Sequence, residues 1–167
     1  LEQDFEPHAA GVYQQLIPLI QNQLEAGQVV SRAFVVMSTV LTFTKVCTQD
    51  MADSIVKLIF QVLSVDAADQ QGKLAAIACI GDVAHTLKDK FLRYFESVNV
   101  ALSKAYNYSL TKEHQMLDAD LVDYLLGLQI AVAGAYDAII LSLARENAPA
   151  ENYAALSATV QGMIMTS

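Results

Sequence analysis

The sequence predicts an all-α fold, a superhelical stack of helix pairs with about seven helices in three to four repeats. Three observations point there. Hydrophobic residues make up 54% of the 167 positions while Gly and Pro number only 7 and 3, too few turn formers for a chain of many short strands. Apolar residues recur at spacings of three and four along stretches of about 20 residues, and the breaks between most stretches are short, which makes neighbouring helices antiparallel. Finally, similar segments return: "LIPLI" begins at Leu16, "LIFQVL" at Leu58 and "VNVAL" at Val98, at spacings of 42 and 40 residues. Two helices and their turns fill such a period, and one unit that short cannot bury its apolar face alone.

The first helix is expected over Phe5–Leu24, with Val12, Leu16, Leu19, Ile20 and Leu24 as its apolar stripe and Pro18 kinking it. "EAGQ" breaks the pattern at Gly27. A second helix is expected from Gln28 to Cys47, facing the core with Val29, Ala33, Val36, Val40 and Phe43; its β-branched residues also suit a strand, but the run is too long for one. Thr48 or Asp50 fits as the cap of a third helix reaching Ser64, with Ile55, Leu58, Ile59, Val62 and Leu63 inside. Asp66 fits as the next cap, before a fourth helix to Lys88. Its packed face is Leu74, Ile77, Ala78, Gly81, Ala84 and Leu87, small enough in places for backbones to approach closely.

"IGDVAHTLKDKFLRYFESV" places a fifth helix, Asp89 to Tyr106, directly after the fourth, carrying Phe91, Phe95, Val98 and Leu102. Consecutive units of a stack need such tight links. "NYSLTKEHQMLDAD", 107–120, reads as a polar loop, followed by a long sixth helix to Glu146 and a seventh over 149–167 that Pro149 can open. The whole chain, 1–167, then forms one repeat array with approximate units 5–47, 50–88 and 89–146 and a last partial unit 149–167.

Eighteen acidic against ten basic residues give a net charge of −8. That balance disfavours nucleic acid and anionic lipid and suits a basic protein partner. Cys47 and Cys79 sit in apolar helical patterns, with no CxxC or metal-ligand spacing, and read as buried reduced thiols. No Glu-x-x-His pair, phosphate loop or nucleophile elbow is present, so neither an enzyme nor a cofactor site is expected. "LEQDFEPHAAG" lacks the features of a signal peptide, and the chain reads as a piece of a longer protein. The apolar run 121–144 is long enough to ask about a membrane, but Asp123 and Asp137 inside it favour a buried helix, so membrane insertion is not expected.

Pro18 within a first helix and Arg32 fourteen residues later resemble the HEAT repeat, as do Asp66 and Lys73 in the next unit; Ala26 stands where the first unit would carry the motif's Asp. "GDVAHTLKDKFLRYFESV" followed by "LDADLVDYLLGLQIAVAGAYDAIILSL" resembles importin-β, the karyopherin-β nuclear import receptors, over Gly81–Leu143, and the first 70 residues match by repeat pattern. The resemblance implies a HEAT-repeat solenoid from the C-terminal half of such a receptor, without catalytic chemistry. It implies an acidic concave face for an importin-α-type adaptor or basic cargo, and outer hydrophobic slots for Phe-Gly nucleoporin repeats. A Ran-type GTPase would be bound through the missing part of the full protein. The protein would then work in the cytoplasm and nucleus and at the nuclear pore. The alternatives are a HEAT scaffold subunit of a phosphatase or trafficking complex and a helical-bundle enzyme or cofactor-binding domain.

On that reading Phe91, at the start of a first helix, is the principal candidate for Phe-Gly binding, with Phe95, Leu16, Leu19 and Ile59 as slot neighbours. Glu113, Asp118, Asp120, Asp123 and Asp137 are the candidates for a basic partner. Asp118 and Asp120 also fit as helix caps that complement the helix dipole.

Overall fold

The computed structural model describes residues 2–44, 47–66, 68–112 and 119–144. Among them the chain forms α1 (Glu2–Asn22), α2 (Gly27–Thr44), α3 (Gln49–Ser64), α4 (Gln70–Leu87), a 3-10 turn (Lys88–Phe91), α5 (Leu92–Lys112) and α6 (Ala119–Ala144), with no strand. Helices α1/α2, α3/α4 and α5/α6 pack as pairs. The second helices form one layer in which α4 lies between α2 and α6, and the first helices form the other, with α3 touching both α1 and α5. One continuous apolar core runs through all three pairs. This is an all-α repeat solenoid. Helix α4 begins 43 residues after α2, and both have 18 residues.

Several elements follow local chemistry. Thr48 caps α3, its hydroxyl accepting from the Met51 amide. The cap of α4 is Asp69 rather than Asp66; its carboxylate accepts from the Gln71 amide at 2.8 Å. Asp69 also lies against the start of α2, where a β-carbon on Gly27 would come 1.9 Å from its Cγ. The link between α4 and α5 is as tight as the sequence suggests. Lys88 takes φ 55°, its amide bonds back to the Ala84 carbonyl, and one 3-10 turn leads into α5. A lysine in that conformation carries backbone strain, which the packing of the 3-10 turn against α4, α5 and α6 offsets.

Other expectations change as well. Helix α5 continues through Asn107–Lys112, since no Gly or Pro interrupts it after Leu92 and buried Ser109 bonds to the Tyr106 carbonyl at 2.6 Å. In α1 the buried stripe is Ala9, Tyr13 and Ile20, and Leu19 is 42% exposed. In α2 the core side chains include Val30, Phe34, Met37 and Leu41 beside the expected Ala33 and Val40, while Val29, Val36 and Phe43 face outward. Ala78 is exposed, but Ile77, Gly81, Ala84 and Leu87 are buried as expected. Helix α1 is assigned through both Pro7 and Pro18. The expected seventh helix, 149–167, lies outside the described residues.

Small residues set the spacing of the second-helix layer. A β-carbon on Gly81 would come 2.9 Å from the Ala138 β-carbon, and one on Gly72 would come 3.0 Å from Val30 Cγ1. Cys79 and Ser38 hydrogen-bond across the α2–α4 contact, and the Thr86 hydroxyl donates to the Asp82 carbonyl at 2.8 Å and reaches the Leu41 carbonyl at 3.5 Å. Gly27–Thr44 and Ala119–Leu143 are each long and apolar enough to cross a bilayer. Both pack against α4 in this layer, with 44% and 39% of the two stretches buried.

Candidate functional site

The outer layer holds the residues considered for Phe-Gly binding. Leu16 and Leu19 lie on α1, Ile59 on α3, Phe91 in the 3-10 turn and Phe95 on α5. They do not form one surface. Phe91 is 0% exposed and Ile59 1%, so both are core side chains here, a correction to their expected place in an outer slot. The cause is the 3-10 turn, which directs Phe91 inward between helices, its ring 6.1 Å from that of Tyr94 at a 55° tilt. Leu16 and Phe95 are half-buried and Leu19 is exposed, which leaves these three within reach of a ligand. Leu16 and Leu19 are separated from Phe95 by α3, which packs between α1 and α5.

The same layer contains a polar tie that the sequence did not suggest. The Tyr94 hydroxyl on α5 donates to Asp53 on α3, and Gln49 Nε2 donates to Asp53 at 3.2 Å and to the Tyr94 hydroxyl. Arg93 stands 3.8 Å from Asp53 and lies over the Tyr94 ring, 5.3 Å from its centre. The Tyr94 hydrogen bond is the chief cause that holds the Asp53 carboxyl below its usual range; desolvation opposes it, and the Gln49 hydrogen bond and the Arg93 charge add to the lowering. Burial first, then the bond to Asp53, pushes the Tyr94 phenol up to about 12. The 41-residue separation of Asp53 and Tyr94, close to one repeat, is the one sequence signal that could have found the pair.

The second-helix layer presents a different surface. On α6, Asp123, Leu126, Ile130, Asp137 and Leu141 are all exposed. At about 100° per residue they fall within one face, and Asp123 and Asp137 stand about 21 Å apart along the axis. Gly127, Ala135 and Ala138 lie against α4, at Leu74 and Gly81. Asp120 is exposed in the first turn of α6, where its charge complements the helix dipole. The structure therefore places Asp120, Asp123 and Asp137 on one helix, with apolar side chains between them that were not singled out from the sequence. Glu113 and Asp118 lie outside the described residues.

Elsewhere the chemistry is quiet. Burial pushes the Cys47 thiol up to about 11 and Cys79 to about 12, so both stay protonated at neutral pH and are poor nucleophiles. Burial also raises the Tyr13 phenol, whose hydroxyl has no hydrogen-bond partner among the described residues. The Tyr136 hydroxyl donates to Asn99 at 2.7 Å and ties α6 to α5. Among the described residues no three His, Cys, Asp or Glu side chains converge as metal ligands.

Stacked helix pairs with a shared core and broad exposed helix faces define an α-solenoid scaffold. The chain belongs to the importin-β-like repeat family: the model described as "Importin subunit beta-1-like, TPR repeats" matches residues 1–165. The 43-residue step from α2 to α4 has the length of a HEAT unit, longer than the 34 or so residues of a TPR pair. No curated protein and no solved structure matches the chain.

Proposed function

We propose that this chain is a binding segment of a nuclear transport receptor, a non-catalytic scaffold whose second-helix layer takes a basic amphipathic helix of an import adaptor or cargo. The observation that carries this reading is the exposed face of α6, where the carboxylates of Asp123 and Asp137 flank Leu126 and Ile130. A helix with Lys or Arg at its edges and an apolar stripe between them complements that face, and the net charge of −8 attracts such a partner from a distance. Membership of the importin-β-like family supports the same partner class. On this proposal Phe-Gly repeats dock on the outer layer at Leu16, Leu19 or Phe95. The GTPase acts through other repeats of a longer receptor, and the protein works between cytoplasm and nucleus without entering a membrane or binding nucleic acid.

The test is a calorimetric titration of the chain with a Lys/Arg-rich amphipathic helical peptide at low and high salt. Saturable binding is expected, weakened by salt and about tenfold weaker in the Asp123→Asn/Asp137→Asn double variant. Equal affinity for a scrambled peptide with the same charge, or an unchanged affinity in the double variant, would sink the assignment to α6.

A further inference from the structure

The second and third helix pairs, both inside the stack, meet differently in its two layers. In the second-helix layer α4 and α6 are close-packed over most of their shared length. A β-carbon on Gly81 would come 2.9 Å from the Ala138 β-carbon, and one on Gly127 would come 3.2 Å from Leu74 Cδ1. In the first-helix layer α3 and α5 touch less than α1 and α3 do. One polar cluster crosses that gap, at the starts of the two helices. The Tyr94 hydroxyl donates to Asp53, Gln49 Nε2 donates to the Tyr94 hydroxyl, and Arg93 stands 3.8 Å from Asp53.

Beyond the cluster the gap is loosely filled. At about 100° per residue Phe60 lies on the same side of α3 as Gln49 and Asp53, and Ala101 and Ala105 lie on the same side of α5 as Tyr94. All three are half-buried, so parting the two helices there exposes little that water does not already reach. The cluster itself is open to water on one side, since the Asp53 and Arg93 side chains are 47% and 53% exposed. Its bonds can be exchanged for bonds to solvent, whereas the α4–α6 contact cannot open without parting packed backbones. The 3-10 turn also packs against both α4 and α6 and belongs with that contact.

We propose that the Tyr94–Asp53 bond is a latch that sets the angle between the second and third pairs. When it breaks, α5 and α6 swing as one body about the α4–α6 contact. The first helices α3 and α5 then part, and the exposed faces of α4 and α6 turn toward each other. Packed helix layers lie about 10 Å apart, so an opening of about 3 Å between α3 and α5 is a rotation of roughly 15–20°. That swing carries Ile130 and Asp137 toward the exposed sides of α4 and α2. The inference concerns the shape of the stack and is independent of the partner proposed above.

The experiment is double electron–electron resonance on the 167-residue chain in a Cys47→Ser background, where buried Cys79 takes no spin label. Labels at Gln15→Cys and Lys104→Cys read the first-helix layer, and labels at Val35→Cys and Ile130→Cys read the second; all four positions are exposed. Each pair spans two helix spacings, about 20 Å. Tyr94→Phe removes the latch and keeps the ring packed near Phe91, so far-UV helicity should stay at the wild-type level. It should raise the open population about tenfold or more. In that population the first-layer distance is about 5 Å longer and the second-layer distance about 2 Å shorter. Asp53→Ala, at an exposed position, breaks the same bond from the other side and should shift both distances with the same signs. Tyr136→Phe removes a comparable bond to Asn99 inside the third pair and should leave both distances at wild-type values. Distances that do not move in Tyr94→Phe, changes of the same sign in both layers, or an equal response to Tyr136→Phe would each overturn the proposal.

Discussion

A single hydrogen atom at Gly27 separates two helix starts. A methyl group there would meet Asp69 Cγ at 1.9 Å and Cβ at 2.2 Å, and Asp69 is the side chain that caps α4. Gly27→Ala must therefore expel the cap or push α2 away from it. The expected cost is about 1–3 kcal/mol, read as a lower midpoint in urea unfolding. Asp69→Ala removes the cap without the clash and should cost about 1 kcal/mol. Phe91 poses the opposite case. Its ring is fully buried against Tyr94, so Phe91→Ala leaves a cavity and should cost about 3–5 kcal/mol in the same assay. A loss of peptide binding in that variant would then follow from unfolding. Leu19→Ala, at an exposed position, is the cleaner probe of the outer layer, and it should change stability by less than about 0.5 kcal/mol.

At the scale of elements, the bond from Tyr94 to Asp53 joins α5 to α3, the first helices of successive units. Its pH dependence has two limbs. The Asp53 carboxyl is held below its usual range in the folded chain, so the unfolded chain binds the proton more readily. Stability from this source is full above the unfolded value of about 4 and is lost as pH falls through the folded one. The Tyr94 phenol is pushed up to about 12, so its contribution is full below about 10 and is lost as pH rises from there through about 12. The difference in melting temperature between wild type and Tyr94→Phe should therefore be largest near neutrality and shrink at both ends. A difference that stays constant from acid to alkali would place the effect of Tyr94 in packing alone. Helix existence and order were legible in the sequence because the apolar runs are long and the breaks between them sharp. Helix faces were legible only where one stripe dominates, as in α3, where Ile55, Leu58, Ile59 and Val62 of the expected five are buried and Leu63 is half-buried. In α2 two ridges compete, Val30–Met37–Thr44 and Val29–Val36–Phe43, about 100° apart, and the second, which faces outward, is by composition the more apolar. Periodicity alone cannot say which of them meets α4. The candidate site was legible as charge on α6 and not as geometry, because burial of Phe91 depends on a 3-10 turn that no residue pattern announces.

Across the whole molecule, a stack of helix pairs has no long-range cross-connections, so stability is a sum of units and nearest-neighbour contacts. Helix α4 holds the centre, with α2 on one side and α6 on the other. The two contacts are made differently. Toward α2, α4 has Gly72 against Val30 and the polar bonds of Cys79 and Thr86; toward α6 it has Gly81 under Ala138 and Leu74 under Gly127. A branched side chain at Gly81 would open only the second contact. Gly81→Val should therefore loosen the α5/α6 pair while α1, α2 and α3 keep their packing, and the array should melt in two steps rather than one. Hydrogen–deuterium exchange followed by mass spectrometry reads this directly: peptides from 92–112 and 119–144 should lose most of their protection in the variant, and those from 27–44 and 49–64 should retain it. If protection falls by the same factor in all of these peptides, the three pairs unfold as one cooperative body, and the α4–α6 contact is then as much a part of the common core as any bond within a pair.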